Sequence, residues 1–299
     1  MKVIVLMSTY NGEKYIREQL DSILAQKGVN VSIFVRDDGS KDATHDILDE
    51  YQEAGKLVWY TGKNLRSAKS FMDLVYTAEE ADYYAFCDQD DYWLPEKLKV
   101  AVEHLEIFEK TKPALYYSRY KMVDQDLNPL PDSADTPYIS LTMKQAVANS
   151  NCTGCTVVFN KCLLDYMKSN KAEFQIMHDN WIHKVCVALD GNVYFDKHAY
   201  ILYRQHGNNV IGGSTSMRKR LKRHIDTALR TPCYRSDSIA TLYDEYREDM
   251  PDENRKVCAL IKDYKKGFNR FKIIFDKNYK TGNRSVDILF KVDVLLGVF

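Results

Sequence analysis

The sequence contains no long hydrophobic run and no excess of charge of either sign. No stretch reaches the ~18 consecutive apolar residues of a membrane-spanning helix. The N-terminal run Val3–Met7 is too short for the hydrophobic region of a secretory signal, so we expect a protein that stays inside the cell. Lysine plus arginine and aspartate plus glutamate both number 42. This balance gives no support for a nucleic-acid partner.

Glycine-rich phosphate-binding loops are also absent. No Gly-x-Gly-x-x-Gly motif follows the first predicted strand, and no Walker-type Gly-Lys-Ser/Thr sequence occurs. Their absence disfavours a dinucleotide oxidoreductase and a P-loop kinase.

The seven cysteines are odd in number, scattered, and mostly surrounded by apolar residues. We interpret them as reduced, structural thiols of a cytosolic protein. Cys152 and Cys155 form a Cys-x-x-Cys sequence, but the chain offers no second ligand pair at a spacing suited to zinc.

The first hundred residues alternate between strand-like and helix-like patterns. The short, β-branched run Val3–Leu6 is typical of a buried strand, whereas Ile16, Leu20 and Ile23 recur at helical spacing. This order predicts an α/β, Rossmann-like fold with a mostly parallel sheet and helices on both faces. The predicted strands are residues 3–6, 31–35, 57–60 and 83–87, and the predicted helices are residues 13–26, 42–51, 67–77 and 95–108.

Beyond residue 114 the alternation becomes less regular. We predict strands over residues 115–123, 155–159 and 193–203, a turn at 124–131, a loop at 133–140 and a helix at 179–189. After Ser214 the sequence is highly charged and mainly helical in pattern. We therefore expect a first domain of residues 1–213 and a helical C-terminal extension of residues 214–299.

Three polar clusters follow predicted strands: Ser8–Asn11, Asp37–Ser40 and Asp88–Asp91. Ligands of open parallel sheets bind beyond the carboxyl ends of the strands, so the clusters are expected to meet there. The carboxylates of Asp88–Asp91 repel one another unless solvent, a helix N-terminus or a cation compensates them. They suit Mg²⁺ or Mn²⁺ bound with a diphosphate, the alternative being that Asp91 caps the next helix.

Other polar positions allow both a functional and a structural interpretation. Asp37–Ser40 is also ordinary turn chemistry. His178 and Asp179 lie at a predicted helix start, where they would cap the helix or act as a general base. His206 follows a predicted strand and is a candidate third metal ligand or a structural histidine.

Together these residues resemble the inverting family 2 glycosyltransferases of GT-A fold, and within them a rhamnosyltransferase-like branch. The resemblance covers roughly residues 1–212. One departure is Arg66, which stands where the family usually has glycine and is either a diphosphate contact or an exposed side chain. The matching motifs are Ser8–Asn11, Tyr15–Ile16, Gln19–Leu20, Asp37–Asp42, Lys69–Phe71, Asp88–Pro95, Gly154–Thr156, His178–Asp179 and Tyr203–His206.

The resemblance implies a metal-dependent enzyme that transfers a sugar from a nucleotide-sugar donor with inversion at the anomeric carbon. Asp179 matches the family's general base, while Asp90, Asp88 and His206 match positions that hold Mn²⁺ or Mg²⁺. The implied donor-binding residues are Thr9, Tyr10, Asn11, Glu13, Asp38, Lys69, Asp88 and Gln89. The implied acceptor-side residues are Gly154, Cys155, Thr156, His178 and Trp181.

The rhamnosyltransferase-like motifs imply dTDP-L-rhamnose as donor and a polysaccharide or lipid-linked oligosaccharide as acceptor. A UDP-hexose or UDP-N-acetylhexosamine donor is the alternative within the same fold. A nucleotidyltransferase would also place carboxylates and metal beside a nucleotide, but its N-terminal glycine-rich loop is missing. A non-catalytic carbohydrate-binding or scaffold protein is the alternative of another class.

The C-terminal region carries a basic run, Met217–His224, and an apolar run, Val286–Phe299. The basic run fits a solvated helix face or a membrane surface equally well, and the apolar run would pack on the core or touch lipid. A lipid-linked acceptor would make peripheral membrane contact sensible. We therefore expect a cytoplasmic protein, with contact at the inner face of the membrane as an open alternative.

Overall fold

The computed structural model describes residues 1–131, 139–150, 152–172, 177–206 and 233–299. These residues form an eight-stranded sheet with helices on both faces. The strands are β1 (Lys2–Thr9), β2 (Asn30–Asp37), β3 (Val58–Thr61), β4 (Tyr83–Cys87), β5 (Tyr92–Trp93), β6 (Ala114–Val123), β7 (Val158–Asn160) and β8 (Asn192–Arg204). The helices are α1 (Ile16–Leu24), α2 (Thr44–Glu53), α3 (Arg66–Thr77), α4 (Lys97–Leu105), α5 (Met143–Ala148), α6 (Lys161–Ser169), α7 (His178–Ala188), α8 (Tyr234–Tyr246), α9 (Asp252–Lys262), α10 (Asn269–Phe275) and α11 (Arg284–Leu296).

The strand order β3-β2-β1-β4-β7-β6-β8-β5 confirms the predicted α/β class. β1, β2, β3 and β4 are parallel neighbours, as are β6 and β8, whereas β7 and β5 run antiparallel to their neighbours. Thr9 at the end of β1 lies opposite Asp37 at the end of β2, and Met7 lies opposite Cys87 at the end of β4. The three polar clusters therefore leave the sheet at one edge.

The sheet is buried on both faces, which explains the continuous apolar run of β1. Val3, Val5 and Met7 belong to one hydrophobic cluster, with residues of α1, α2 and α4. Ile4 and Leu6 belong to the other, with residues of α3, α5, α6 and α7. Alternate side chains of one strand thus hold opposite helix layers.

Several predicted boundaries are wrong for identifiable local reasons. α1 begins at Ile16 rather than at residue 13, because the Gly12 carbonyl oxygen accepts hydrogen bonds from Tyr15 N and Ile16 N (both 3.0 Å) in a preceding turn. The strand predicted from residue 155 begins at Val158, since Gly154–Thr156 forms a single 3₁₀ turn. The short elements β5, α5 and α6 have no counterpart in the sequence predictions.

The C-terminal region is helical over the described residues 233–299, as predicted. Its buried side chains, among them Ile239, Val257 and Phe290, join the hydrophobic cluster of α3 and α7. These helices therefore share a core with the sheet. The predicted domain boundary at residue 213 and the basic run Met217–His224 lie outside the described residues, as do residues 133–138 of the predicted loop. Within the described ranges, no helix combines the length and apolar character needed to span a bilayer.

Candidate active site

A cleft of about 770 Å³ opens at the carboxyl ends of β1, β2 and β4. It brings together most of the predicted site residues: Thr9, Tyr10, Asn11, Asp38, Asp88, Gln89, Asp90, Gly154, His178, Asp179 and His206. Five predicted residues lie elsewhere. Cys155, Thr156 and Trp181 are buried in the core beside the cleft, and Glu13 and Lys69 have exposed side chains that do not line it.

The Gln89 side chain joins the acidic loop to the loop after β1. Thr9 Oγ1 and Tyr10 N donate hydrogen bonds to Gln89 Oε1 (2.5 and 2.8 Å), and Gln89 Nε2 donates to the Tyr10 carbonyl oxygen (3.2 Å). The amide thus satisfies both backbone polar groups of Tyr10. In this geometry Gln89 fixes the separation of the two loops that line the cleft.

Asn11 and Glu13 each use one side-chain oxygen to shape the loop after β1. Asn11 has φ 48°, a left-handed conformation that asparagine tolerates better than most residues. Its Oδ1 accepts a hydrogen bond from Lys41 N (2.8 Å), and Glu13 Oε2 accepts one from Ala43 N (2.8 Å). Both side chains therefore hold this loop against the segment that leads into α2.

Asp38 lines the cleft, but its carboxylate is already hydrogen-bonded. It accepts hydrogen bonds from Leu65 N and Arg66 N (2.8 Å each) and from the buried Arg36 guanidinium. In this geometry the carboxylate orients the segment before α3. The contact with a nucleobase that the family resemblance implies for Asp38 stays a prediction.

Arg66 adopts φ 64°, the backbone conformation that glycine prefers. This explains structurally why the family usually has glycine here, and it costs an arginine roughly 1–2 kcal/mol. The side chain lines the cleft at the N-terminus of α3 and forms no ion pair with the residues that the structure describes. A strained cation facing a ligand cleft indicates a functional reason for its retention.

We expect Arg66→Gly to separate stability from ligand binding. Relief of the strain should raise the free energy of unfolding by about 1 kcal/mol, while loss of the guanidinium should weaken nucleotide-sugar binding by about tenfold. Urea unfolding and calorimetry measure the two quantities. Arg66→Ala is the matched control, since it removes the cation but keeps a side chain at positive φ. Unchanged donor affinity in both variants would show that Arg66 makes no donor contact.

The acidic loop carries more negative charge than its surroundings balance. Burial, followed by the charges of Asp90 and Asp179, raises the pKa of Asp88 to about 7. His206 Nε2 lies 2.8 Å from Asp90 Oδ2, and the Tyr15 ring stacks on His206 with centroids 5.1 Å apart. Asp88, Asp90 and His206 all line this cleft. Carboxylate and imidazole groups suit a divalent cation, which would relieve the repulsion that adds to the effect of burial on the pKa of Asp88.

Asp91 has a different role from its neighbours. It is fully buried, its Oδ1 accepts a hydrogen bond from Arg204 N (3.2 Å), and burial raises its pKa well above the usual range. α4 begins at Lys97 and has no side-chain cap, so the interpretation of Asp91 as a helix cap is wrong. The possible metal-ligand atoms of Asp88, Asp91 and Cys155 lie within 4.8 Å of one another.

A buried lysine lies beneath this cluster and was missed from the sequence. Lys97 is buried, with Nζ 3.6 Å from the centroid of the Trp93 ring, and burial lowers its pKa to about 8. Its charge interacts favourably with Asp91. Lys97 therefore supplies a positive charge on the buried side of the acidic cluster, whereas Asp88 and Asp90 line the cleft.

Asp179 lies in the first turn of α7 and lines the same cleft as the acidic loop. Gly154 N and Asn180 N donate hydrogen bonds to its two oxygens (3.0 and 2.6 Å). A Cβ built on Gly154 would lie 2.6 Å from His178 Nε2, so the close approach of these segments requires glycine. The hydrogen bonds from Gly154 N and Asn180 N orient the Asp179 carboxylate.

The two candidate bases differ in basicity. Burial raises the pKa of Asp179 to about 6, whereas burial lowers the pKa of His178 to about 3. The His178 ring packs on Phe71 with centroids 3.9 Å apart. A base whose pKa is nearer to the working pH takes up a proton more effectively, so the environment favours Asp179 over His178.

This pKa predicts a pH dependence for any reaction in which Asp179 removes a proton. The carboxylate is ionised above about pH 6 and protonated below it, so kcat/KM should fall roughly tenfold for each pH unit below about 6. A bound cation would move the fall to lower pH, because it stabilises the carboxylate form. A profile of kcat/KM between pH 4.5 and 8.5 measures it, and a rate that does not change across that range would exclude Asp179 as the base.

Comparison with known proteins agrees with this architecture. The model of glycosyl transferase family 2 matches residues 4–165. The dTDP-rhamnosyl transferase RfbG of Shigella flexneri is 32% identical over 234 residues, covering 73% of this chain and 77% of that protein. The putative teichuronic acid biosynthesis glycosyltransferase TuaG of Bacillus subtilis is 30% identical over 158 residues, covering 52% of this chain and 60% of that protein. The chain therefore belongs to glycosyltransferase family 2.

Solved structures share the fold at low sequence identity. S. aureus TarS in complex with UDP-GlcNAc aligns with a TM-score of 0.55 and 18% identity, over 98% of this chain and 92% of that one. The mannosyltransferase PcManGT from Pyrobaculum calidifontis, in complex with GDP-Man and Mn²⁺, aligns with a TM-score of 0.54 and 14% identity, over 98% and 86% of the two chains. These likenesses confirm the predicted GT-A type of fold.

Proposed function

We propose that the chain is an inverting, metal-dependent glycosyltransferase that moves L-rhamnose from dTDP-L-rhamnose to a hydroxyl of a polysaccharide or lipid-linked oligosaccharide. The observation that carries the proposal is that Asp179 lines the same cleft as Asp88 and Asp90. A base and a cation-binding cluster in one cleft suit direct displacement at an anomeric carbon. The name of the Shigella relative supports rhamnose as the sugar.

In this mechanism the donor diphosphate lies beside the acidic loop. Asp88 and Asp90, with His206, would hold Mn²⁺ or Mg²⁺, which when bound neutralises charge on the leaving diphosphate. His206 supplies an imidazole nitrogen, a softer donor than carboxylate oxygen, and this favours Mn²⁺ over Mg²⁺. The Mn²⁺ in the mannosyltransferase structure supports the same choice of cation.

Asp179 takes the proton of the acceptor hydroxyl as its oxygen attacks the anomeric carbon from the face opposite the diphosphate. One bond forms as the other breaks, so the anomeric configuration inverts. The hydrogen bond from Gly154 N holds the carboxylate in place. Neutral His178 lies beside Asp179 at the acceptor side of the cleft.

The donor half of the cleft is formed by Thr9, Tyr10, Asn11 and Gln89, with Arg66 on its opposite side. Tyr10 is exposed and its backbone is fixed by Gln89, which leaves its ring available to contact a nucleobase. Donor recognition therefore depends on a few side chains, and UDP-hexose or UDP-N-acetylhexosamine remains the second candidate. The UDP-GlcNAc bound to S. aureus TarS supports that alternative.

A panel of nucleotide sugars tests the proposal through release of nucleoside diphosphate with Mn²⁺, with Mg²⁺ and with EDTA. EDTA-sensitive release from dTDP-L-rhamnose is the expected result. Release from a UDP-sugar instead would keep the enzyme and discard rhamnose. If no donor is cleaved, calorimetry with each donor decides, because a non-catalytic carbohydrate-binding protein has no need of a nucleotide-sugar site.

We also propose that the protein works in the cytoplasm, with peripheral contact at the inner face of the membrane where a lipid-linked acceptor would lie. The basic run Met217–His224 supports this contact by composition alone. Flotation with anionic vesicles, before and after neutralising the basic run, measures how much the run contributes to membrane binding.

A further inference from the structure

Two C-terminal helices leave a row of phenylalanines uncovered. The side chains of Phe268 and Phe275 are 79% and 80% exposed, and Phe271 lies between them with about half of its surface exposed. The ring centroids of Phe268 and Phe271, and of Phe271 and Phe275, are each 6.4 Å apart. Three adjacent exposed aromatic rings are unusual on the surface of a soluble domain.

The neighbouring helix α11 presents a second exposed apolar row. Ile288, Val292, Leu295 and Leu296 follow the spacing of one helix face, and all are exposed. α10 and α11 are in contact, with Arg270 Nη1 donating a hydrogen bond to the Leu295 carbonyl oxygen (3.1 Å). We call the seven residues of the two rows the phenylalanine face: Phe268, Phe271, Phe275, Ile288, Val292, Leu295 and Leu296.

The phenylalanine face is not needed to hold the two helices in place. Their other sides already pack into the protein, where Ile273, Phe290 and Val294 are completely or almost completely buried. The exposed rows are therefore additional apolar surface. Each phenylalanine would be stabilised if it were removed from water.

The charges on these two helices indicate what covers the face. Lys272, Lys277, Arg284 and Lys291 form no ion pair with the residues that the structure describes. The acidic groups of the same segment are mostly paired or buried: Asp263 pairs with Lys266 (2.8 Å), Asp276 pairs with Lys144 (2.9 Å), Asp293 is buried, and Asp287 keeps its charge while it accepts hydrogen bonds from Thr281. The surroundings of the face are therefore cationic.

We propose that the phenylalanine face docks on an anionic lipid bilayer, with the aromatic rings among the acyl chains and the lysines at the lipid phosphates. Apolar side chains flanked by basic residues suit the membrane interface, where the basic residues are attracted to anionic lipid headgroups. A second copy of the chain fits less well, because the unpaired cations of two such faces would repel each other. The proposed lipid-linked acceptor supplies the functional reason for docking, but the test needs no activity.

Flotation of the full chain with vesicles tests the proposal. Vesicles of phosphatidylcholine mixed with phosphatidylglycerol should carry the protein, and vesicles of phosphatidylcholine alone should carry much less. The double variant Phe268→Ser with Phe275→Ser should lower binding at least about tenfold, since two inserted side chains are removed. Both positions are exposed, so folding is not at risk, and circular dichroism checks it.

Matched variants control for a general loss of surface groups. Val58→Ser with Ile107→Ser removes two side chains that are 61% and 69% exposed and lie away from α10 and α11, and should leave binding unchanged. Lys272→Gln with Lys277→Gln and Lys291→Gln should weaken binding and reduce its salt dependence. The same change at the exposed residues Lys27, Lys56 and Lys197 should have little effect.

Two results would overturn the proposal. If the phenylalanine variant floats as well as the unaltered protein, any membrane binding comes from other residues, such as the basic run. If sedimentation velocity shows a dimer that this variant dissociates, with no vesicle binding, the face joins two copies of the chain. If the unaltered protein floats with the vesicles but binds no nucleotide sugar, the result contradicts the proposed function and leaves the docking proposal standing.

Discussion

Replacing Asp179 by Asn should lower the rate of sugar transfer by about 10²–10⁴ while donor affinity stays within about twofold, the range typical of a lost general base. The carboxylate faces the cleft, is held by Gly154 N and Asn180 N, and has a pKa raised to about 6 by burial. Asparagine has nearly the same shape but cannot take a proton. Initial rates at saturating donor, together with the donor Kd from calorimetry, measure the two quantities.

A loss of folding would not explain a lower transfer rate in the Asp179→Asn variant. The pKa of Asp179 is higher in the folded chain than its ordinary value of 3.8, so ionisation destabilises the fold as pH rises from about 4 to about 6. The Asp179→Asn substitution removes this cost of up to about 3 kcal/mol and loses one hydrogen bond of about 1 kcal/mol. The melting temperature at pH 8 should therefore not fall. Asp190→Asn, at the exposed far end of the same helical segment, is the matched control, and turnover by Asp179→Asn at the control's rate would exclude the assigned base.

The location of the site is largely readable from the sequence. Strand ends of a parallel sheet converge, so the polar residues after β1, β2 and β4 had to meet at one edge. The cleft confirms this meeting of Thr9, Asp38 and Asp88. The burial of β1 on both faces follows from the same continuous apolar run that predicts the strand.

The sequence does not predict the environment of individual side chains in the same way. Glu13 and Lys69 fit the family pattern by position, yet neither lines the cleft, and Glu13 accepts a hydrogen bond from Ala43 N. Lys97 looks like an ordinary surface lysine in the sequence, because lysines are almost never fully buried unless paired. Its burial against Trp93 depends on how α4 packs, which residue spacing alone does not determine. The positive φ of Arg66 likewise depends on its hydrogen bond to Asp38.

Replacing Asp90 by Asn should abolish most cation binding and lower transfer by about 10²–10⁴, since a bound cation supplies several kcal/mol of stabilisation to a leaving diphosphate. Asp90 faces the cleft and accepts its contact from His206 on an oxygen that would otherwise bind the cation. Calorimetry with Mn²⁺ measures affinity, and diphosphate release measures turnover. Asp126→Asn, an exposed acid next to the cleft residue Gln125, is the control and should change neither.

The same site predicts that Mn²⁺ affinity rises with pH. Because the pKa of Asp88 is about 7, this carboxyl holds a proton at pH 6 and must release it before it can bind a cation. Mn²⁺ affinity should therefore increase by about fivefold between pH 6 and pH 7 and level off above pH 8 at about tenfold its value at pH 6, with close to one proton released per cation bound at pH 6. Asp88→Asn should remove most of this pH dependence and weaken binding throughout. An affinity that does not vary with pH in the unaltered protein would place the cation away from Asp88, and the acidic loop would then need Lys97 and a proton, rather than a metal, to balance its charge.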